Sequence, residues 1–210
     1  MDRKEISDYR WGNSELSGSH DYLLPTVLSL IGGLLDRTEG GRVFDLGCGN
    51  GSVANVFFSH GWDVTGVDPS NEGIEQASTH YPHLKLYEGS AYNDLSSQYG
   101  QFPVVTSLEV VEHVYYPRLY AATLFSLVEP GGTAIISTPY HGYWKNLVLA
   151  LTGRMDSHFT VLWDNGHIKF WSIKTLKKLL IDAGFDYIRF ERVGRVPTLA
   201  KSMIAIAKKK

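Results

Sequence analysis

The chain has 210 residues, 43% hydrophobic and 20% charged, the make-up of a globular protein with enough apolar material for one sizeable core. Its formal net charge of −2 offers polyanions no general attraction, which argues against DNA or RNA as a dedicated partner. A single cysteine, Cys48, excludes an intrachain disulfide; no apolar run reaches membrane-spanning length, and MDRKEISDYR is too charged for a signal-peptide core, so the expected location is cytoplasmic.

Residues 1–19 are polar and turn-rich except for Tyr9 and Trp11, which either dock on the domain or fold over a ligand mouth as a lid. From His20 to Leu35 apolar residues recur at three and four, which predicts an amphipathic covering helix with Ser19 as its cap. Arg42 to Ser52 reads RVFDLGCGNGS: Val43, Phe44 and Leu46 predict a buried parallel strand, and Gly47, Gly49 and Gly51 a turn into a helix at Val53–Ser59. Glycines let the backbone take positive φ and touch a ligand at the helix N-terminus, although a purely structural turn uses the same residues. Cys48, inside that turn, reads as a small packed residue rather than a reactive thiol. The next unit, Trp62–Val67, predicts a second strand ending in Asp68, 21 residues after Gly47. In an open α/β sheet that acid falls beside the glycine turn, where a carboxylate can accept both hydroxyl protons of a ribose. Together the two features point to an adenosine-containing cofactor.

The alternation continues with a helix at Glu72–Thr79, a third strand at Leu84–Glu88 running into Gly89-Ser90-Ala91, and a fourth at Phe102–Leu108. A helix follows at Tyr116–Leu127, with Pro117 in its first turn. Glu129-Pro130-Gly131-Gly132 breaks it before a fifth strand at Thr133–Ser137. Residues 139–170 leave the pattern; rich in aromatic and histidine residues, they fall where α/β enzymes carry substrate-facing insertions. Ser172 then caps a helix to Ala183, closed by Gly184, and Phe185–Glu191 and Met203–Ala207 predict the last two strands. With no repeat or linker, the expectation is one domain over 1–210: a tail and covering helix at 1–40 and an insertion at 139–170.

From about Gly41 onward the chain resembles the class I S-adenosylmethionine-dependent methyltransferases. DLGCGNG matches their first motif, VTGVDPS their ribose motif, and VEPGGTAIISTP the stretch around their fifth strand. GxGxG followed by Ser52, rather than GxGxxG, favours a methyltransferase over a dehydrogenase. The resemblance implies an α/β, Rossmann-like doubly wound sheet of seven mostly parallel strands with an antiparallel last strand. It also implies S-adenosylmethionine held by Asp45, Gly47, Cys48, Gly49, Asp68, Pro69, Ser90, Ala91 and Leu108. Asp45 stands where the family often has an acid near the methionine end. Ser90 stands where an acid usually meets adenine, so a backbone N–H there could serve instead.

The fourth strand runs out in Ser107-Leu108-Glu109-Val110-Val111-Glu112-His113. If the chain turns helically after Leu108, Glu109, Glu112 and His113 share a face. Two carboxylates and an imidazole so crowded are stable with a positive charge between them, and a divalent metal fits. His167, in Asn165-Gly166-His167-Ile168-Lys169-Phe170-Trp171, offers a fourth ligand. This Glu-x-x-Glu-His…His pattern resembles that of small-RNA 3′-terminal 2′-O-methyltransferases, while the second half as a whole is similar to the O-methyltransferases of ubiquinone biosynthesis. Both resemblances imply a hydroxyl with a neighbouring oxygen as acceptor, chelated by the metal. Mixed carboxylate and imidazole ligands suit Mn²⁺, Fe²⁺ or Zn²⁺ at least as well as Mg²⁺. Many class I methyltransferases carry an acid and a histidine here without a metal; His113 is then the general base, with Glu109 beside it, and His141 and His158 are weaker candidates.

Tyr143–Leu151 is apolar on nearly every helical face, so it is either buried against the last helix or in contact with something greasy, such as a long-chain quinol reached at a membrane surface. The combined reading is a metal-assisted O-methyltransferase of a small catechol- or quinol-like acceptor. Its rivals are a metal-free sugar or secondary-metabolite O-methyltransferase, a terminal-ribose RNA methyltransferase, and a catalytically silent cofactor-binding partner.

Overall fold

A computed structural model of the chain describes residues 14–35, 41–159, 161–163 and 166–210, so the docking or lid role of Tyr9 and Trp11 lies outside the described residues. In chain order the elements are α1 (His20–Leu34), β1 (Arg42–Leu46), α2 (Ser52–Ser59), β2 (Asp63–Asp68), α3 (Asn71–His80), β3 (Lys85–Glu88) and α4 (Leu95–Tyr99). They continue with β4 (Phe102–Leu108), α5 (Pro117–Leu127), β5 (Val128–Pro139), α6 (Tyr143–Leu151), α7 (Met155–Phe159), α8 (Ile173–Ala183), β6 (Tyr187–Val193) and β7 (Ser202–Lys208).

The seven strands form one sheet in the order β3-β2-β1-β4-β5-β7-β6. All neighbours run parallel up to β5, and β7 is antiparallel to both β5 and β6. This is the doubly wound architecture the motifs implied, with the antiparallel strand last in sequence and next to last in the sheet. The order reverses between β1 and β4, which opens a crevice at the carboxyl ends of the central strands. Helices cover both faces: Leu124 of α5 and Leu176 and Leu180 of α8 pack on one, Val27 and Ile31 of α1 and Phe57 of α2 on the other. Burial on both sides is why β1 and β4 are nearly continuous apolar runs rather than alternating ones.

Four expectations are corrected here, each for a local reason. Ser19 has helical backbone angles and its side chain caps nothing, its hydroxyl meeting Ser17 instead. β5 starts directly at Val128 and runs through Pro130-Gly131-Gly132, because a register shift between Phe102 and Val104 of β4 absorbs the extra residues as an irregularity where proline is tolerated. β6 starts two residues later than predicted, since Phe185, 2% exposed, packs edge-on against Phe125 as part of the closure of α8. α6 buries none of its residues and lies on α7 and on the 3-10 turn at Pro197–Leu199, not against the last helix. Among the described residues no helix is long and apolar enough to cross a membrane.

Candidate active site

The crevice is a cavity of about 730 Å³, within the usual range for a small-molecule site, and it extends from the glycine turn across the end of β4 to α6 and the start of β7. At one end the turn has φ of 89° at Gly47, 53° at Gly49 and 76° at Gly51, values that L side chains adopt only with strain. It is pinned from both sides. Gly47 and Cys48 donate their N–H groups to Val67 O at 2.8 and 3.1 Å. Asp68 accepts from Gly49 N on Oδ2 at 2.9 Å and from Ser70 N on Oδ1 at 2.8 Å. Burial lifts the Asp68 carboxyl to about 6 against the pull of these two N–H groups. Asp68 thus sets the turn's shape and still lines the cavity.

Of the nine residues implied as cofactor contacts, Gly47, Asp68, Pro69, Ala91 and Leu108 line the cavity. The other four do not line it. Asp45 is 2% exposed, accepts a hydrogen bond from Thr106 Oγ1 at 2.8 Å, and is lifted by burial to about 7. Cys48 is buried, which pushes its thiol well up and leaves it as packing. Gly49 acts through Asp68. Ser90 donates its N–H to Asn93 Oδ1 at 2.9 Å and accepts on Oγ from Tyr92 N at 3.0 Å, so the backbone donor expected to be available there has a partner within its own loop.

The chain does not become helical after β4. Glu109 takes a left-handed conformation, φ 57°, and Val111–His113 form a turn, so the three expected ligands do not share a helical face. Glu109 is held apart: its N–H reaches Ser137 O at 3.1 Å and Ser137 Oγ at 3.0 Å, and its Oε1 accepts from Ser137 Oγ at 2.8 Å. Burial raises its carboxyl to about 7, with Ser137 opposing. Glu112, His113 and His167, by contrast, each offer a ligand atom within 4.8 Å of the others, a set that omits the predicted Glu109.

The long-range part of this arrangement comes from backbone bonds. Ile168 N and Lys169 N both donate to Glu112 O at 2.9 Å, and Trp171 Nε1 donates to Val111 O at 3.0 Å, which draws the end of the insertion onto the turn after β4. The His113 and His167 rings then sit edge to face, 4.9 Å between centroids, with Trp163 against both. His167 Nε2 is 4.0 Å from Glu112 Oε1. Desolvation, then the neighbouring His113, lowers His167 to about 4, so it is a neutral imidazole with a lone pair at neutral pH. Glu112 is 1% exposed, and neither of its carboxylate oxygens accepts a hydrogen bond. Burial and the charge of Glu109 push its carboxyl well up. A buried carboxylate with both oxygens orphaned beside two imidazoles is a donor set that fits a divalent cation with nitrogen and oxygen ligands.

Several lining residues carry no motif. His20 and Tyr22 belong to a helix read only as cover, Lys145 lies in the insertion expected to face substrate but was not itself a candidate, and Arg195, Lys201 and Ser202 come from segments with no local signature. Only the topology, which brings the start of β7 beside the end of β5, gathers them.

A methyltransferase-domain family model matches residues 20–189. The ubiquinone biosynthesis O-methyltransferase of Psychrobacter arcticus is 34% identical over 155 residues, 70% of this chain and 59% of that protein. The protein of the same description from Burkholderia pseudomallei is 28% identical over 193 residues, 90% of this chain and 82% of its own. The chain thus spans about three fifths of the Psychrobacter relative. Among solved structures, a SAM-dependent methyltransferase from Archaeoglobus fulgidus superposes with a TM-score of 0.65 at 17% identity, covering 89% of this chain and 93% of that one. An O-methyltransferase family protein from Burkholderia thailandensis gives 0.65 at 17% identity, over 90% of this chain and 56% of that one. At such identities the structures speak for the fold alone.

Proposed function

Because this chain belongs to the class I S-adenosylmethionine-dependent methyltransferases, we propose that it is an O-methyltransferase, assisted by a divalent cation, of a small acceptor with vicinal oxygens, catechol- or quinol-like. The observation that carries the cation is Glu112: a carboxylate 1% exposed with both oxygens unpartnered, within ligand reach of His113 and His167. The resemblance to ubiquinone biosynthesis O-methyltransferases supports the acceptor class.

In this reading Gly47, Asp68, Pro69, Ala91 and Leu108 hold S-adenosylmethionine, which when bound supplies a methyl group already activated on a sulfonium. Glu112, His113 and His167 hold the cation, which when bound lowers the proton affinity of a chelated hydroxyl. The remaining tasks are positioning, exclusion of water and removal of one proton. Glu109 lines the same wall, and burial tunes it to about 7 against hydrogen bonds from Ser137 and Ser202, so its carboxylate takes the acceptor's proton. Without a cation, His113, on the same wall, is the second group able to do so. Val148 and Leu149 of α6 line the cavity, and Tyr143, Trp144 and Leu151 of that helix are exposed, which supports an acceptor with an apolar portion.

Methyl transfer from labelled S-adenosylmethionine to a panel of catechols and quinols, before and after chelation, tests the reading. Glu112→Gln and His167→Ala are expected to lower kcat by about a hundredfold or more, since even partners of metal ligands typically account for 10–100-fold. S-adenosylhomocysteine affinity is expected to stay within about twofold, because neither residue belongs to the glycine turn. Full activity in both variants and in excess chelator would falsify the cation-assisted version.

A further inference from the structure

Four cations line the cavity on the side away from the glycine turn: Lys145 of α6, Arg154 between α6 and α7, Arg195 after β6, and Lys201 before β7. Among the described residues none of them forms an ion pair. Lys145 follows β5, Arg195 follows β6 and Lys201 precedes β7, on one half of the sheet, whereas Gly47 follows β1 and Asp68 ends β2 on the other. Lys145 Nζ donates to Tyr140 O at 2.9 Å and is 3.5 Å from Lys201 O, which fixes the ammonium and leaves a third N–H for the cavity. Lys201 Nζ is 5.0 Å over the Tyr22 ring, a cation–π contact that holds it at the wall.

These charges repel one another. Burial and then the Arg195 charge lower the proton affinity of Lys145, so these two cations oppose one another. The cavity's own carboxylates do not neutralise them. Asp68 is engaged with Gly49 and Ser70 across the sheet, and Glu109 attracts Lys145 but bonds to Ser137. Lys145 is half-buried, while Arg154, Arg195 and Lys201 are exposed at the cavity rim. Like charges gathered there without counter-ions repel, and an anion seated among them relieves that while gaining charge-assisted hydrogen bonds.

We propose that the acceptor carries an oxyanion, a carboxylate or a phosphate ester, bound among Lys145, Arg195 and Lys201 while its hydroxyl faces Glu109 and His113. This rests on the methyl-transfer reading of the cavity and names the substrate class it takes. These residues serve the acceptor; the donor's own carboxylate is the competing anion, and equilibrium binding separates the two.

The test is equilibrium binding, which does not depend on turnover. Catechol, 3,4-dihydroxybenzoate and 3,4-dihydroxybenzyl phosphate are titrated calorimetrically into the full chain saturated with S-adenosylhomocysteine, at low and at physiological salt. One or both anionic probes are expected to bind about tenfold or more tightly than catechol, the worth of a charge-assisted hydrogen bond, and whichever binds better identifies the oxyanion. In the Arg195→Gln/Lys201→Gln double variant that ratio is expected to fall to about one. Equal binding of neutral and anionic probes, no binding of any probe, or a preference that survives in the double variant overturns the proposal. So does a tenfold loss of S-adenosylhomocysteine affinity in that variant, which would assign the cations to the donor. Anion preference without methyl transfer would leave this proposal standing and remove the earlier reading instead.

Discussion

Asp45 shows what burial does to one acid. With 2% of its surface exposed it is lifted by desolvation to about 7, whereas in the unfolded chain it ionises near 4. A folded value above the unfolded one means that the fold prefers the neutral acid. Its contribution to stability is therefore fully present below about pH 4 and is lost as the pH rises toward 7. Asp45→Asn keeps the oxygen that accepts from Thr106 and removes the charge. Thermal unfolding without ligand is expected to show the variant more stable by about 2–4 kcal/mol at pH 8, with the difference vanishing near pH 4. An equal difference at both ends would make it a packing effect. At this scale legibility in the sequence tracked the backbone. Asp68 could be placed because a strand tip beside a glycine turn is fixed by topology. Glu109 could not, because its left-handed conformation belongs to no periodicity and φ of 57° outside glycine leaves no compositional mark. Ser90 had the right neighbours, and its loop bonds to Asn93 were hidden in an unremarkable polar stretch.

Elements were legible where the apolar pattern admits one kind of burial and ambiguous where it admits two. β1, β4 and α8 announce themselves by apolar runs or by a capping residue, and Ser172 does cap α8, its Oγ accepting from Thr175 N. α6 is apolar all round, a pattern that fits either a buried helix or one that covers a cavity, and only the tertiary structure chooses the second. The joining of the β4 turn to the end of the insertion is equally invisible locally, since Trp171 and Val111 are 60 positions apart. That join makes Trp171 a positioning residue for His167. Trp171→Phe keeps most of the buried ring and deletes the Nε1–H that reaches Val111 O. Its expected effect is a loss of about tenfold in divalent-cation affinity, read by competition with a chelating dye, as for other supports of metal ligands. S-adenosylhomocysteine affinity is expected to hold within about twofold. If cation affinity is unchanged, the two backbone bonds from Ile168 and Lys169 to Glu112 O suffice to hold the imidazole.

Across the whole molecule the two halves of the cavity have different makers. The donor half is built by the ends of β1 and β2, with Asp68 locking the glycine turn, and the acceptor half by the turn after β4, the insertion and the approach to β7. They meet along the end of β4, where Leu108 and Glu109 line the cavity and Glu112 stands behind it. If each half is held by its own bonds, ligand stabilisation of the fold should separate in the same way. A ligand present at a hundred times its Kd adds about 2.7 kcal/mol, which for a chain of this size is a rise of several degrees in Tm. Wild-type protein is expected to gain such a rise from S-adenosylhomocysteine and a separate one from Mn²⁺ or Zn²⁺. Glu112→Gln should abolish the metal shift and keep the nucleoside shift. Asp68→Asn, which replaces one of the two oxygens that accept from Gly49 and Ser70, should do the reverse. Loss of both shifts in either variant would mean that the β4 turn has two arrangements biased by both ligands, so that donor and cation bind cooperatively rather than side by side.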